Sequence, residues 1–184
     1  ASATVGDMVT YYDSVQGAID SLQTDKGTVT LIKDEVNESV VVSAGQDVVL
    51  DTDGKTLSSG EVTVTNNGTL VIQGEGVISS EKTPIRNKSD ITIGKCNIKS
   101  EKSGISNLGN MIVNDATIEI SSIGVSNYGD FDFNSGTLIP SKIVFVWGNV
   151  ILSPSNLAFE YTLSTKDLCL MSMKLVSASM LSGD

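Results

Sequence analysis

Val64-Thr-Asn-Asn-Gly-Thr-Leu-Val-Ile72 returns in altered letters as Ile85-Arg-Asn-Lys-Ser-Asp-Ile-Thr-Ile93, Ile105-Ser-Asn-Leu-Gly-Asn-Met-Ile-Val113 and Val125-Ser-Asn-Tyr-Gly-Asp-Phe-Asp-Phe133. The starts lie 21, 20 and 20 residues apart. Aligned on one another, these segments and the residues after them form five columns. The first is Val64, Ile85, Ile105 and Val125, and the second is Asn66, Asn87, Asn107 and Asn127. The third is Leu70, Ile91, Met111 and Phe131, and the fourth is Ile72, Ile93, Val113 and Phe133. Val77, Ile98, Ile118 and Leu138 make the fifth. Four columns are apolar and one holds only asparagine. A unit this short cannot bury an apolar face alone, so neighbouring units must stack.

Within each unit the apolar residues stand two apart, which is the strand period. Asn67-Gly68, Ser89-Asp90, Gly109-Asn110 and Gly129-Asp130 interrupt the units as turns. No helical stretch fits inside the period. Each unit is therefore a coil of two or three short strands, and stacked coils form parallel sheets about 4.8 Å apart per strand. The fold expected is all-β: a single-stranded parallel β-solenoid with coils of about 20 residues.

The asparagine column suits tight turns, because Asn tolerates the left-handed conformation. Its amide both donates and accepts, so stacked copies can bond up the column as in cross-β assemblies. The competing reading is a row of polar groups facing a ligand. Because the column lies two residues after an inward-facing position, the ladder is favoured.

Outside the regular part, Gly27-Thr-Val-Thr-Leu-Ile, Glu38-Ser-Val-Val-Val and Asp47-Val-Val-Leu read as earlier strands, and Asp51-Thr-Asp-Gly54 as a turn. Residues 1–26 are expected to cap the first coil. Asp13 followed by Gln16 reads as a capping box, and Val15, Ala18, Ile19 and Leu22 recur at helical spacing, giving an amphipathic helix over about 13–24. The coils are expected over 27–163. One more coil fits with Phe145 in the first column, Trp147 in the asparagine column and Ile151 in the third. Residues 164–184, from Ser164 and Asp167 through Leu168 to Leu181, read as an apolar, helical cap or the start of a further segment.

The 184 residues carry a net charge of −10 and no histidine. Acidity argues against nucleic acid and anionic lipid as partners. It suits a soluble extracellular or virion-exposed protein. The start, Ala1-Ser-Ala3, reads as a mature or trimmed terminus without a signal peptide. No stretch is long and apolar enough for membrane insertion. Cys96 and Cys169 read as unpaired thiols, Cys96 sharing a column with Glu75, Ala116 and Gly136.

Without histidine there is no Ser–His or Cys–His pair and no usual zinc ligand. No phosphate loop, dinucleotide fingerprint, EF-hand loop or CxxC occurs, so no cofactor and no metal is expected. Carboxylates remain: Glu119, Asp130, Asp132, Asp51, Asp53 and Asp90. Asp90 and Asp130, two coils apart, would be separated by roughly 10 Å, near the spacing of inverting glycosidases. However, Asp beside a turn has ordinary backbone reasons, and a constant period leaves no long loops to wall a cleft. A single arginine, Arg86, also argues against a lyase. The expectation is that the chain is not an enzyme, with a polysaccharide-degrading activity as the alternative. The position after each column asparagine holds Asn67, Lys88, Leu108 and Tyr128 and should point outward. Leu108 and Tyr128 are the candidate ligand surface, since exposed aromatics stack on sugar rings; the competing reading is ordinary apolar surface.

Tyr12-Asp-Ser-Val-Gln-Gly-Ala-Ile-Asp-Ser-Leu, Gly27-Thr-Val-Thr-Leu-Ile-Lys-Asp-Glu-Val and Val48-Val-Leu-Asp-Thr-Asp-Gly-Lys-Thr-Leu together resemble the opening of right-handed parallel β-helix proteins of bacterial surfaces. Asn66-Asn-Gly-Thr-Leu-Val-Ile and Asn127-Tyr-Gly-Asp-Phe-Asp-Phe-Asn-Ser-Gly-Thr-Leu-Ile are similar to that family's repeating coil. The resemblance covers roughly residues 1–150. It implies a right-handed, pectate-lyase-like β-helix in a secreted or wall-attached, adhesin-like protein, with a glycan or another host or cell-surface ligand as partner. Similar openings occur in phage tail proteins, which would imply a virion part and a trimer. No lyase catalytic motif is matched. Fold alone does not give activity. The function expected is adhesion or a rigid stalk, with weak glycan binding.

Overall fold

A computed structural model describes residues 1–145 and 150–152. They form an all-β parallel solenoid of about five turns, with coils of about 21 residues and one short helix near the N-terminus. Each coil contributes a strand to each of three parallel arrays. The first sheet stacks Lys26–Thr30, Asp47–Asp51, Thr69–Gln73, Asp90–Ile93, Asn110–Val113, Asp130–Phe133 and Val150–Leu152. The second stacks Glu35–Asn37, Thr56–Ser59, Val77–Ser80 and Asn97–Ser100. The third stacks Val40–Val42, Val62–Asn66, Thr83–Asn87 and Ser103–Asn107. Ala116–Asn127 and Gly136–Phe145 each run through the corner and extend both of these last two.

Parallel pairing places like on like. Leu70, Ile91, Met111 and Phe131 stand in register, as do Ile72, Ile93, Val113 and Phe133. Val64, Ile85, Ile105 and Val125 do the same in the third sheet. All twelve are buried, and each such side chain stabilises the fold by about 1.5–3 kcal/mol. The fifth column is shifted by one residue from the sequence reading: Ile78, not Val77, pairs with Ile98. Leu57, Ile78, Ile98, Ile118 and Leu138 are the buried set. The extra residue of that coil is absorbed in the turn, where Gly74 and Glu75 both take positive φ, 102° and 61°. For the same reason Gly76, rather than Glu75, shares a column with Cys96.

The last described coil is shorter than expected. Register shifts between Ile120 and Ser126 bring Phe145 against Asn127 and Val150 against Phe131. Phe145, not Trp147, therefore takes the asparagine position. Ile151 pairs with Asp132 on the exposed side, and Val150 takes the third column. Trp147 and residues 164–184, with Cys169, lie outside the described residues.

The N-terminal cap has two parts. The helix spans Val15–Leu22 and buries Val15, Ala18, Ile19 and Leu22 against the first coil, the apolar set read from the sequence. Its N-cap is Ser14 rather than Asp13: Ser14 is extended (φ −123°, ψ 159°) and its hydroxyl accepts the Gly17 N–H at 2.9 Å. Gln16 does not close a capping box. Its amide instead brackets Val41, donating to the carbonyl at 3.0 Å and accepting from the N–H at 2.7 Å. The free first-turn N–H groups go to Glu38 of the first coil, whose carboxylate accepts from Val15 and Gln16 at 2.8 Å each. An anion at that end also suits the helix dipole.

The other part was not expected. Ser2–Val5 and Met8–Tyr11 form an antiparallel hairpin through Gly6 and Asp7, and Ser2–Val5 pairs antiparallel with Lys26–Thr30. The hairpin extends the first sheet beyond its first coil, with Met8–Tyr11 as the outermost strand.

Candidate functional site

The asparagine column is a buried ladder. Asn66 Nδ2 donates to Asn87 Oδ1 at 2.8 Å, Asn87 to Asn107 at 2.8 Å and Asn107 to Asn127 at 2.7 Å. The same amides reach backbone carbonyls at the turn, including Asp90, Asn110 and Asp130 in the coil above. All four residues are at most 1% exposed. These groups satisfy one another and cannot read a ligand, so the structural reading holds.

A second polar stack runs along the corner between the second and third sheets, and the sequence reading missed it. Ser80 Oγ donates to the Glu61 carbonyl at 2.5 Å and Ser100 Oγ to the Lys82 carbonyl at 2.7 Å. Ser59 shares a hydrogen bond with Thr63 at 2.9 Å. Ser80 and Ser100 stitch one coil to the next, and at Ser59 the link is made through Thr63, whose hydroxyl donates to the Ser79 carbonyl. The only available signal was a Ser at the end of three successive second-sheet strands. Outside them, Ser58, Ser79, Lys99 and Glu119 line an open polar groove of about 410 Å³. Lys99 and Glu119, in register on neighbouring strands, pair at 3.1 Å, half exposed, which is worth at most about 1 kcal/mol.

Leu108 and Tyr128 stand next to each other, as expected. Leu108 N–H donates to the Asn87 carbonyl at 2.8 Å and Tyr128 N–H to the Asn107 carbonyl at 2.7 Å. Those bonds fix the turn in each coil and leave the side chains 52% and 54% exposed. Beside them on the outer face of the first sheet, Asn110 pairs with Asp130 and Ile112 with Asp132. The patch thus combines one aromatic ring, two aliphatic side chains and a set of carboxylate and amide groups.

The candidate carboxylates are dispersed. Asp51 accepts the Asp53 N–H at 2.9 Å and the Gln73 amide at 3.0 Å, the pattern of a turn-forming Asp. Asp53 meets Lys55, and Glu119 meets Lys99. In the column Asp90, Asn110, Asp130 the middle amide donates to Asp90 at 2.7 Å. Asp90 and Asp130 are therefore separated by an amide rather than by open space for a sugar. Among the described residues no group of three or more acidic or cysteine side chains is placed to hold a metal ion, and no helix is long and apolar enough to cross a membrane.

Cys96 is buried, and burial pushes its thiol up to about 12. The thiolate is the reactive form. In a Cys169→Ser variant, a disulfide reagent at pH 8 should therefore leave the folded chain unlabelled and add one equivalent after denaturation. Labelling of the folded chain would contradict this placement.

No family model, no curated protein and no solved structure matches this chain.

Proposed function

We propose that this chain is a non-enzymatic module of a secreted or cell-surface protein, acting in adhesion by weak glycan binding at Leu108 and Tyr128. The stacked, outward pair beside Asn110 and Asp130 carries the reading. A ring offers a face to a sugar, and neighbouring amide and carboxylate groups match hydroxyls. The rigid stack beneath keeps the ordering cost of binding low.

The test is a glycan-array screen of the purified chain, reading binding and fragment release together. Binding without release is expected, weakened about fivefold or more by Tyr128→Ala, since losing one stacking contact costs about 1 kcal/mol. Product release that disappears in Asp130→Asn or Asp132→Asn would replace this reading with an enzyme. No binding across the array would remove the glycan.

A further inference from the structure

The hairpin strand Met8–Tyr11 ends the first sheet, and among the described residues nothing pairs with its outer side. The phase of its hydrogen bonds is set at one end. Tyr12 N–H donates to the Ala1 carbonyl at 2.8 Å, and the Ala1 ammonium donates to the Tyr12 carbonyl at 2.9 Å. Tyr12 therefore bonds inward, and by the alternation of an antiparallel ladder so do Thr10 and Met8. The N–H and C=O groups of Val9 and Tyr11 point the other way, to the open edge. Side chains along this edge are apolar and exposed: Met8 74%, Val9 53% and Tyr11 73%.

Sheet edges are usually blunted by lysine, proline, a bulge or a covering loop. Met8-Val-Thr-Tyr11 carries no charge and no proline, and its pairing to Ser2–Val5 is unbroken. Charge does appear at both ends of the strand, as exposed Asp7 and Asp13. Residues 1–25 contain four aspartates and no lysine or arginine. The nearest lysine, Lys26, is held by Asp47 at 3.2 Å, and the Ala1 ammonium is engaged on the inner side. A second copy of the same strand would set Asp7 beside the partner's acidic end at each terminus of the pair, which like-charge repulsion disfavours.

We infer that this edge takes an extended strand of another protein, carrying alternating apolar residues and a Lys or Arg at its flanks. Binding is by strand addition: the backbone groups of Val9 and Tyr11 supply the ladder, Met8, Val9 and Tyr11 supply apolar contact, and Asp7 and Asp13 select basic flanks. Because both ends are acidic, either strand direction satisfies the charges. This site lies at the end of the solenoid and does not depend on the Leu108–Tyr128 patch.

The probe is a fluorescent, end-blocked peptide, Lys-Val-Thr-Val-Thr-Lys, compared with Glu-Val-Thr-Val-Thr-Glu by anisotropy against the full chain. The Lys-flanked peptide should bind at least about tenfold more tightly at low salt. The preference should shrink in 0.5 M salt, where the Debye length is a few Å. Val9→Pro removes an outward N–H that the hairpin does not use, as edge prolines do. It should weaken binding about fivefold, the value of one backbone hydrogen bond of about 1 kcal/mol. Hydrogen exchange on the same variant should show the Tyr12 amide still protected, so that loss of binding is not loss of the hairpin. In the unmodified chain, the Val9 and Tyr11 amides should exchange fast and slow down when the Lys-flanked peptide is added. Equal affinity for the two peptides, unchanged binding by Val9→Pro, or protected Val9 and Tyr11 amides in the free chain would overturn the inference.

Discussion

Asn107→Ala is expected to destabilise the chain by about 3–5 kcal/mol, although the residue touches no ligand. Asn107 stands inside the ladder. Its amide donates to Asn127 Oδ1, to the Gly109 carbonyl and to the Asp130 carbonyl, and its oxygen accepts from Asn87. Alanine strips these acceptors of a buried donor where water has no room. Each abandoned buried group costs roughly 1–3 kcal/mol. Urea midpoints give the loss. Hydrogen exchange should place it at the turns beginning at Leu108 and Tyr128, because a solenoid transmits a defect mainly to its nearest neighbours. Asn107→Asp tests the same geometry by charge. A carboxylate there faces acceptors, so its folded-state pKa must rise above the unfolded value of about 3.9. With that sign, the variant holds most of its stability below about pH 4 and loses it as the pH rises. A flat pH profile for Asn107→Asp, or a loss under 1 kcal/mol for Asn107→Ala, would show that the ladder is decoration.

Phe133→Ala should cost a comparable amount, about 3–5 kcal/mol. Phe131 and Phe133 fill the interior of their coil as a stacked pair, with centroids 6.4 Å apart and planes at 29°. Both are at most 1% exposed. Below them the same two columns hold Met111 and Val113, which pair in register and cannot rise into the space left by a ring. Ile112→Ala, on the outer side of the adjacent strand and 38% exposed, should change stability by no more than about 0.5 kcal/mol. Equal losses at the two positions would contradict the burial of Phe133 and the exposure of Ile112 on opposite faces of the sheet.

Much of this architecture could be read from the letters because stacking repeats surroundings. Asn87 sees Asn66 below and Asn107 above, so the same residue solves the same problem three times. The letters mislead where surroundings do not repeat. Periodicity puts Val77 in a column that belongs to Ile78, because the Gly74–Glu75 turn holds one more residue than its successors. It puts Trp147 opposite Asn127, because two residues drop out at the corner after Ile120. Ser14, not Asp13, is the N-cap, its hydroxyl accepting the Gly17 N–H, and the letters do not separate two adjacent residues that can both cap. The hairpin itself was missed because Met8–Tyr11 buries nothing and so leaves no alternating pattern. Leu108 and Tyr128 were legible as exposed neighbours, since that needs only register. The serine corner was not, because Ser is common on strands and its bonds run to backbone carbonyls that have no letter.

One consequence of the parallel stacking concerns tension. The hydrogen bonds between coils run along the solenoid axis, so a pull applied along that axis opens them a few at a time instead of shearing a whole strand at once. Each coil that peels off frees about 21 residues, roughly 70 Å of extended chain, in exchange for about 4.8 Å of stack. Drawn along that axis, the described coils would lengthen in steps of nearly equal size and pay out chain gradually instead of coming apart all at once.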